Sequence, residues 1–467
     1  MRKFYWYLTA YLKKHGLIFF ASVLGAILVF SFIVPQVAQS LEKRQRSYVG
    51  IVGQYTLNNL PPRIKSKLST GLTKVSPDGS VMPLLAERWS VEQDGKTYRF
   101  ILKEGLYWND GTPLKPEDIN YNLQEVETII TPNDIVFKLP DAYAPFPVVV
   151  AEPLLKSSTM PHYFFFSRPT LVGIGEFRIT DYQRRGQDLT ELTIDSKDER
   201  IVYRFYPTEE DAVDAFKHGK VDFLPELSKE YDVMEWDTAV SESKLNTARY
   251  LAVFFNIRNS LFSKNVRQAL SYALEKPPAD IRASGPINPQ SWAFLEGGKS
   301  YDKDLQRASE RLLDEVPSVP LEFELTTTAV FQEEAESIKQ QWEEFGQKAY
   351  DDCRKNNDIK DKNLCENVKI QVHLKVTNFP DTSDFQALLI GQESLPDPDQ
   401  YYLWHSDQST NFSGYKNTRI DNLLEKGRQT LDKKERTDIY QEFQQFFLED
   451  TPAIFLRYLY SYDIKRG

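Results

Sequence analysis

The hydrophobic pattern separates one uncharged stretch near the start of the chain from a long succession of short periodic segments. Residues 16–34 carry no charged side chain. A helix rising about 1.5 Å per residue over that length reaches across a bilayer core. Phe4, Tyr5, Trp6, Tyr7 and Tyr11 precede it, as in an interfacial aromatic belt. Arg2, Lys3, Lys13 and Lys14 in front favour a cytoplasmic N-terminus, and Lys43, Arg44 and Arg46 behind keep the bias modest. A cleavable signal peptide is the competing reading. Its small-residue site would be Ala38, Gln39 and Ser40, which is poor, and no cysteine lies nearby to take a lipid. The expectation is an uncleaved single-pass anchor in the cell membrane, with residues 47–467 on the extracytoplasmic side, in the periplasm or at the cell surface.

Beyond the anchor, strand and helix patterns alternate. Strands are expected at 47–55, 135–139, 250–257, 321–325, 369–376 and 454–460. The 250–257 run is almost wholly apolar, as in a strand buried on both faces. Asp94 and Gly95 mark a hairpin turn within 90–102, whereas 83–89 reads as a helix or turn. Helices are expected at 208–219, 263–274, 331–345, 420–431 and 435–448. In 263–274, Val266, Ala269, Leu270, Ala273 and Leu274 recur at helical spacing. Phe331, Ala335, Ile338, Trp342 and Phe345 form another stripe, with Gly346 read as its stop. Thr208 with Asp211, and Asp432 with Glu435, are N-cap signals. The class is α/β with open sheets.

The segment 395–415 stands apart. Asp397 and Asp399 interleave with prolines, and Tyr401, Tyr402 and Trp404 follow. Proline fixes φ and removes a donor, so irregular backbone is expected. Carboxylates and large aromatics on one rigid loop suit a pocket for a cationic or amide-bearing ligand. Alternatively the two aspartates hold local backbone N–H groups.

Composition removes several function classes. A net charge of −10 without a basic patch argues against nucleic acid as a partner. The five histidines show no paired spacing, so neither a metal nor a cofactor is expected. No nucleophile–base motif points to a hydrolase. Cys353 and Cys365, in one polar segment, suggest a local disulfide in an oxidising compartment; two free thiols are the alternative.

Four stretches together resemble the family 5 extracytoplasmic solute-binding proteins, the peptide- and oligopeptide-binding components of bacterial ABC importers. They are PLLAERWSVEQDGKTYRFILKEGLYWNDGTPLKPEDINYNL, VGIGEFRITDY, FFNIRNSLFSKNVRQALSYALEK and PDPDQYYLWHSDQSTNFSGYKNTRIDNLLEKGR. The resemblance runs from about Val49 to Tyr460. It implies a two-lobed periplasmic-binding-protein-like (type II) fold with an extra subdomain in lobe one. Residues 1–46 would be the tail, anchor and linker. Lobe one would be 47–254 with the return strand 453–467, its extra subdomain about 73–168, and lobe two 255–452. The implied function is capture of a peptide and its delivery, without chemistry, to the permease of an ABC transporter. The protein is expected to act as a monomer held to the lipid bilayer through residues 16–34.

Site residues follow from the same resemblance. Trp292 lies in the loop GPINPQSW, where the family's cleft receives side chains. Tyr401, Trp404, Asp397 and Asp399 are the loop candidates, and Glu393, Asn411 and Tyr55 complete the set. Relatives often place a tryptophan and an amine-binding aspartate just before the PDPD turn. Residues 391–395, GQESL, have neither. Glu393 or Asp397 would have to replace that anion. A nickel chelate or an oligosaccharide is the alternative ligand, and a tethered sensor or scaffold the alternative role. The run 108–113, WNDGTP, reads as structural.

Overall fold

A computed structural model describes residues 6, 13–30, 45–92, 94–162 and 166–467. The helix Lys13–Phe30 has a mean hydropathy of 1.6 and no part of it is buried. Among the described residues it alone is long and apolar enough to cross a membrane. Residues 31–34 of the expected span, the flanking residues 2–5, 7, 11, 43 and 44, and residues 38–40 lie outside the described residues.

The remaining chain forms two compact units. The first takes in described residues up to Leu60 with Met160–Thr170 and Glu176–Leu224. In it the strand Gln45–Val52 runs parallel to Glu199–Tyr206. That strand continues antiparallel through Asp188–Asp195 to Arg178–Arg185. The helix Glu209–Lys217 begins where expected: the Thr208 hydroxyl accepts the Asp211 N–H and satisfies a donor that the first turn leaves open.

The second unit comprises Pro61–Thr159, Leu171–Gly175 and Pro225–Gly467. Its smaller sheet is antiparallel, in the order Ala86–Val91, Thr97–Leu102, Asp134–Lys138, Glu127–Ile130. The expected helix or turn at 83–89 is therefore corrected to strand. Its ladder is supplied across the Asp94–Gly95 hairpin, with Trp89 opposite Phe100 and Val91 opposite Tyr98. Trp108 is buried and donates its indole N–H to Asp118 at 3.1 Å, as a turn-holding role for 108–113 requires.

The larger sheet of this unit runs Ala453–Arg466, Ala239–Phe255, Ala387–Glu393, Leu321–Thr327, Ile370–Val376. Successive residues of a strand face opposite ways. Accordingly Leu251, Val253 and Phe255 enter a core with Val266, Leu270 and Trp342, while Tyr250, Ala252 and Phe254 enter another with Trp404, Phe443 and Phe447. Burial on both faces explains the unbroken apolar run.

Four expectations change here. The helix Gln332–Lys355 does not stop at Gly346 but passes through it. A Cβ on Gly346 would stand 2.4 Å from the Ile370 backbone N, so this glycine permits close helix–strand approach and is not a terminator. The strand expected from 250 begins at Ala239, and the last strand continues to Arg466. The loop 395–415 contains one helical turn, Tyr401–Trp404. Cys353 and Cys365 are joined as a disulfide, linking the end of the long helix to the turn Lys362–Val368, and both are fully buried.

Candidate functional site

Within the second unit a cavity of about 260 Å³ is lined by six segments. The turn Gly79–Val81 and the hairpin residues Trp89, Val91 and Tyr98 form one wall, with Ala144, Pro147 and Val148 beside them. Trp292, Asp397, Leu431, Lys433 and Arg436 close it. The turn at 76–80 is locally encoded: the Gly79 N–H donates to Ser76 O, and Gly79 has φ +78°. A Cβ there would meet Pro396 O at 2.4 Å, so glycine lets the turn touch the PDPD loop. The Trp292 N–H donates to Asp78 O at 3.0 Å and fixes the Trp292 loop to the turn at 76–80.

Arg436 belongs to the apolar stripe of the helix Lys433–Asp450, with Tyr440, Phe443 and Phe447. A charge on such a stripe needs a partner in the interior. Arg436 forms a two-pronged pair with Asp397, at 3.1 Å and 2.8 Å, and its Nε donates to Gly427 O at 2.8 Å. Burial opposes the Arg436 charge, but Asp397 and then Tyr440 outweigh it and hold the guanidinium above its ordinary range. Asp397 also accepts the Asp399 N–H, and Asp399 accepts that of Tyr401, each at 3.0 Å. Asp399 lies 3.0 Å from Arg428 Nε. Burial raises its pKa against the pull of Arg428. The two loop carboxylates thus meet two arginines from the helices that follow, and each also holds a backbone N–H.

The positively charged rim is Lys433. Its amine donates to Ser80 Oγ at 2.8 Å and stands 5.5 Å from the Trp292 ring centroid. Arg436 lies 5.3 Å from the same ring, within cation–π range. The Ser80 hydroxyl in turn donates to Asp78 at 2.8 Å. The Tyr98 hydroxyl donates to Tyr143 O, and burial pushes its pKa up to about 12.

Of the sequence candidates, Trp292 and Asp397 line this cavity together. Asp399 sits behind Asp397. Tyr401 stacks on His405 at 4.1 Å and under Arg428 at 4.2 Å. Trp404 is 1% exposed and packs against Phe254 and Phe447. Asn411 is buried and donates to the backbone carbonyls of His405 and Tyr415. Glu393 is exposed at the end of the strand Ala387–Glu393, opposite Arg249. Tyr55 belongs to the first unit, where its ring packs on Phe205. Among the described residues no cluster of three or more metal-ligating side chains occurs.

Sequence reading missed Ser80, Lys433 and Arg436. For Arg436 a signal existed: it falls at i, i+4, i+7 and i+11 with Tyr440, Phe443 and Phe447. For Lys433 and Ser80 none did, since only the fold brings them together.

A family model described as bacterial extracellular solute-binding proteins, family 5 Middle, matches residues 80–134 and 124–413. The oligopeptide-binding protein AppA of Bacillus subtilis is 23% identical over 88% of this chain and 85% of its own. The dipeptide-binding protein DppE of the same organism is 21% identical over 85% and 82%. Among solved structures, NikZ from Campylobacter jejuni in complex with Ni(L-His) superposes with a TM-score of 0.68 at 19% identity, covering 90% of this chain and 94% of that one.

Proposed function

Since the chain belongs to the bacterial extracellular solute-binding proteins of family 5, we propose that it captures peptides outside the cytoplasm and delivers them to the membrane permease of an ABC transporter. The family is one of solute-binding proteins, not of enzymes, and the expected work is binding alone. The observation that carries the peptide reading is the pair of oligopeptide- and dipeptide-binding relatives, each matched over four-fifths or more of both chains. The cavity supports it: two indoles, a phenol and aliphatic walls surround a few fixed polar groups, as small-solute sites do. The lobes 47–254 with 453–467, and 255–452, are part of the same proposal. So is an anchor at residues 16–34, which would keep a monomeric receptor beside its permease at high effective concentration.

The test is a thermal-shift screen of the detergent-solubilised chain against di- to nonapeptides, oligosaccharides and nickel–histidine. Stabilisation by peptides is expected. Stabilisation by the sugars or the nickel chelate alone would refute the peptide reading and favour one of the other ligand classes.

A further inference from the structure

The polar groups of the cavity are unevenly disposed. Its only lining carboxylate among the described residues, Asp397, is occupied on both oxygens by Arg436 and also accepts the Asp399 N–H. Asp78, beside the rim, accepts the Ser80 N–H at 3.0 Å and its hydroxyl at 2.8 Å. The donors are less fully used. Lys433 spends one N–H on Ser80, and among the described residues no carboxylate lies within ion-pair distance of its amine. The Trp292 indole N–H has no hydrogen-bond partner among the described residues. Arg436 uses one of its two NH1 hydrogens on Asp397.

We propose that this cavity recognises a carboxylate borne on an apolar group, through Lys433 and the Trp292 indole N–H, with the Arg436 NH1 behind them. The inference rests on the cavity being the ligand site of the function proposed above, and it deepens that reading. A free ammonium group would require an uncommitted carboxylate, and none lines the cavity; it would also face Lys433 and Arg436, whose like charges repel it. A carboxylate meets charge-assisted donors instead. The walls, Trp89, Val91, Val148 and Leu431, suit an aliphatic or aromatic substituent. At about 260 Å³ the cavity is smaller than the roughly 300–1,000 Å³ of sites for drug-sized ligands. It accommodates one residue of a peptide rather than the whole. The carboxylate is either the peptide's C-terminus or an acidic side chain.

Titration calorimetry on the solubilised full chain distinguishes these. The probes are Ala-Ala-Phe as free acid, its N-acetyl form, its C-terminal amide, and Ala-Glu-Phe amide. Free acid and N-acetyl form are expected to bind alike. Amidation should weaken binding roughly tenfold or more, as loss of a charge-assisted contact does. Recovery of binding in Ala-Glu-Phe amide would assign the acidic side chain; continued loss would assign the C-terminus. In K433Q the difference between acid and amide should shrink, and W292F should weaken the acid more than the amide. Equal binding of acid and amide with no gain in Ala-Glu-Phe amide, or loss on acetylation alone, would overturn the inference and leave the peptide reading intact. If only a non-peptide solute binds, the peptide reading falls. The inference then stands if K433Q weakens a carboxylate-bearing solute and falls if it does not.

Discussion

Arg436 and Asp397 form the most deeply buried ion pair bordering the cavity, at 6% and 6% exposure. Removing one member strands the other charge in the interior, at a cost of about 3–5 kcal/mol. D397N and R436M are each expected to lose that much stability in urea melts. The double variant D397L/R436M should regain much of it, because apolar groups of similar volume often replace a buried pair without penalty. Equal loss in the double variant would show that the singles fail for reasons other than an orphaned charge. Lys276 presents a different case. Its amine donates to Ser271 O at 2.7 Å, and burial, then Arg282, push its pKa down to about 7 from 10.5. Between those values the unfolded chain holds a proton that the folded chain has released. Stability should therefore rise with pH from about 7 towards 10.5, by a few kcal/mol at most. The difference in unfolding free energy between wild type and K276M should carry that slope, and a flat difference would contradict the burial of the amine.

Two features of the elements carry predictions of their own. In G346A the added methyl group would stand 2.4 Å from Ile370 N and 2.9 Å from Ile370 Cβ. Overpacking costs about 1–3 kcal/mol, against a gain of about 1 kcal/mol in helix propensity. Net destabilisation is expected, whereas a glycine that merely ended a helix would tolerate alanine. The bridge between Cys353 and Cys365 closes a loop of sequence separation 12. On loop entropy its loss in C353S/C365S should cost about 3 kcal/mol, read from urea midpoints under oxidising conditions. The elements also show what the sequence could reveal. The helices Lys264–Tyr272 and Lys433–Asp450 were legible, since their caps Ser263 and Asp432 and their stripes are local. The first half of the strand Ala239–Phe255, SESKLN and its neighbours, is polar and half-exposed, and reads as loop. Its ladder comes from Ala453–Arg466, far along the chain. Asp397 could be nominated from its own loop, and Trp292 from the family resemblance. Lys433 could not, because its relevance arises only where Ser80 and Trp292 meet it.

For the molecule as a whole, the helix Lys13–Phe30 presents Leu17, Ile18, Phe20, Leu24 and Phe30 almost bare, at 63–88% exposure. Apolar surface of that extent is unstable in water, and the proposed anchor would bury it in a bilayer. The full chain should therefore sediment with membranes, resist high salt, and dissolve in detergent. A chain beginning at Gln45 should remain soluble. The compartment has a separate readout: intact mass of exported protein should show Cys353 and Cys365 two hydrogens lighter than the thiols, and external protease should reach residues 45–467 in intact spheroplasts. A mature N-terminus near Leu41 in the soluble fraction would replace the anchor with a cleaved signal, yet leave the extracytoplasmic placement standing. Two free thiols and protection from protease would instead place the binding domain on the wrong side of the membrane for capture of an external peptide, and the proposed function would fall with it.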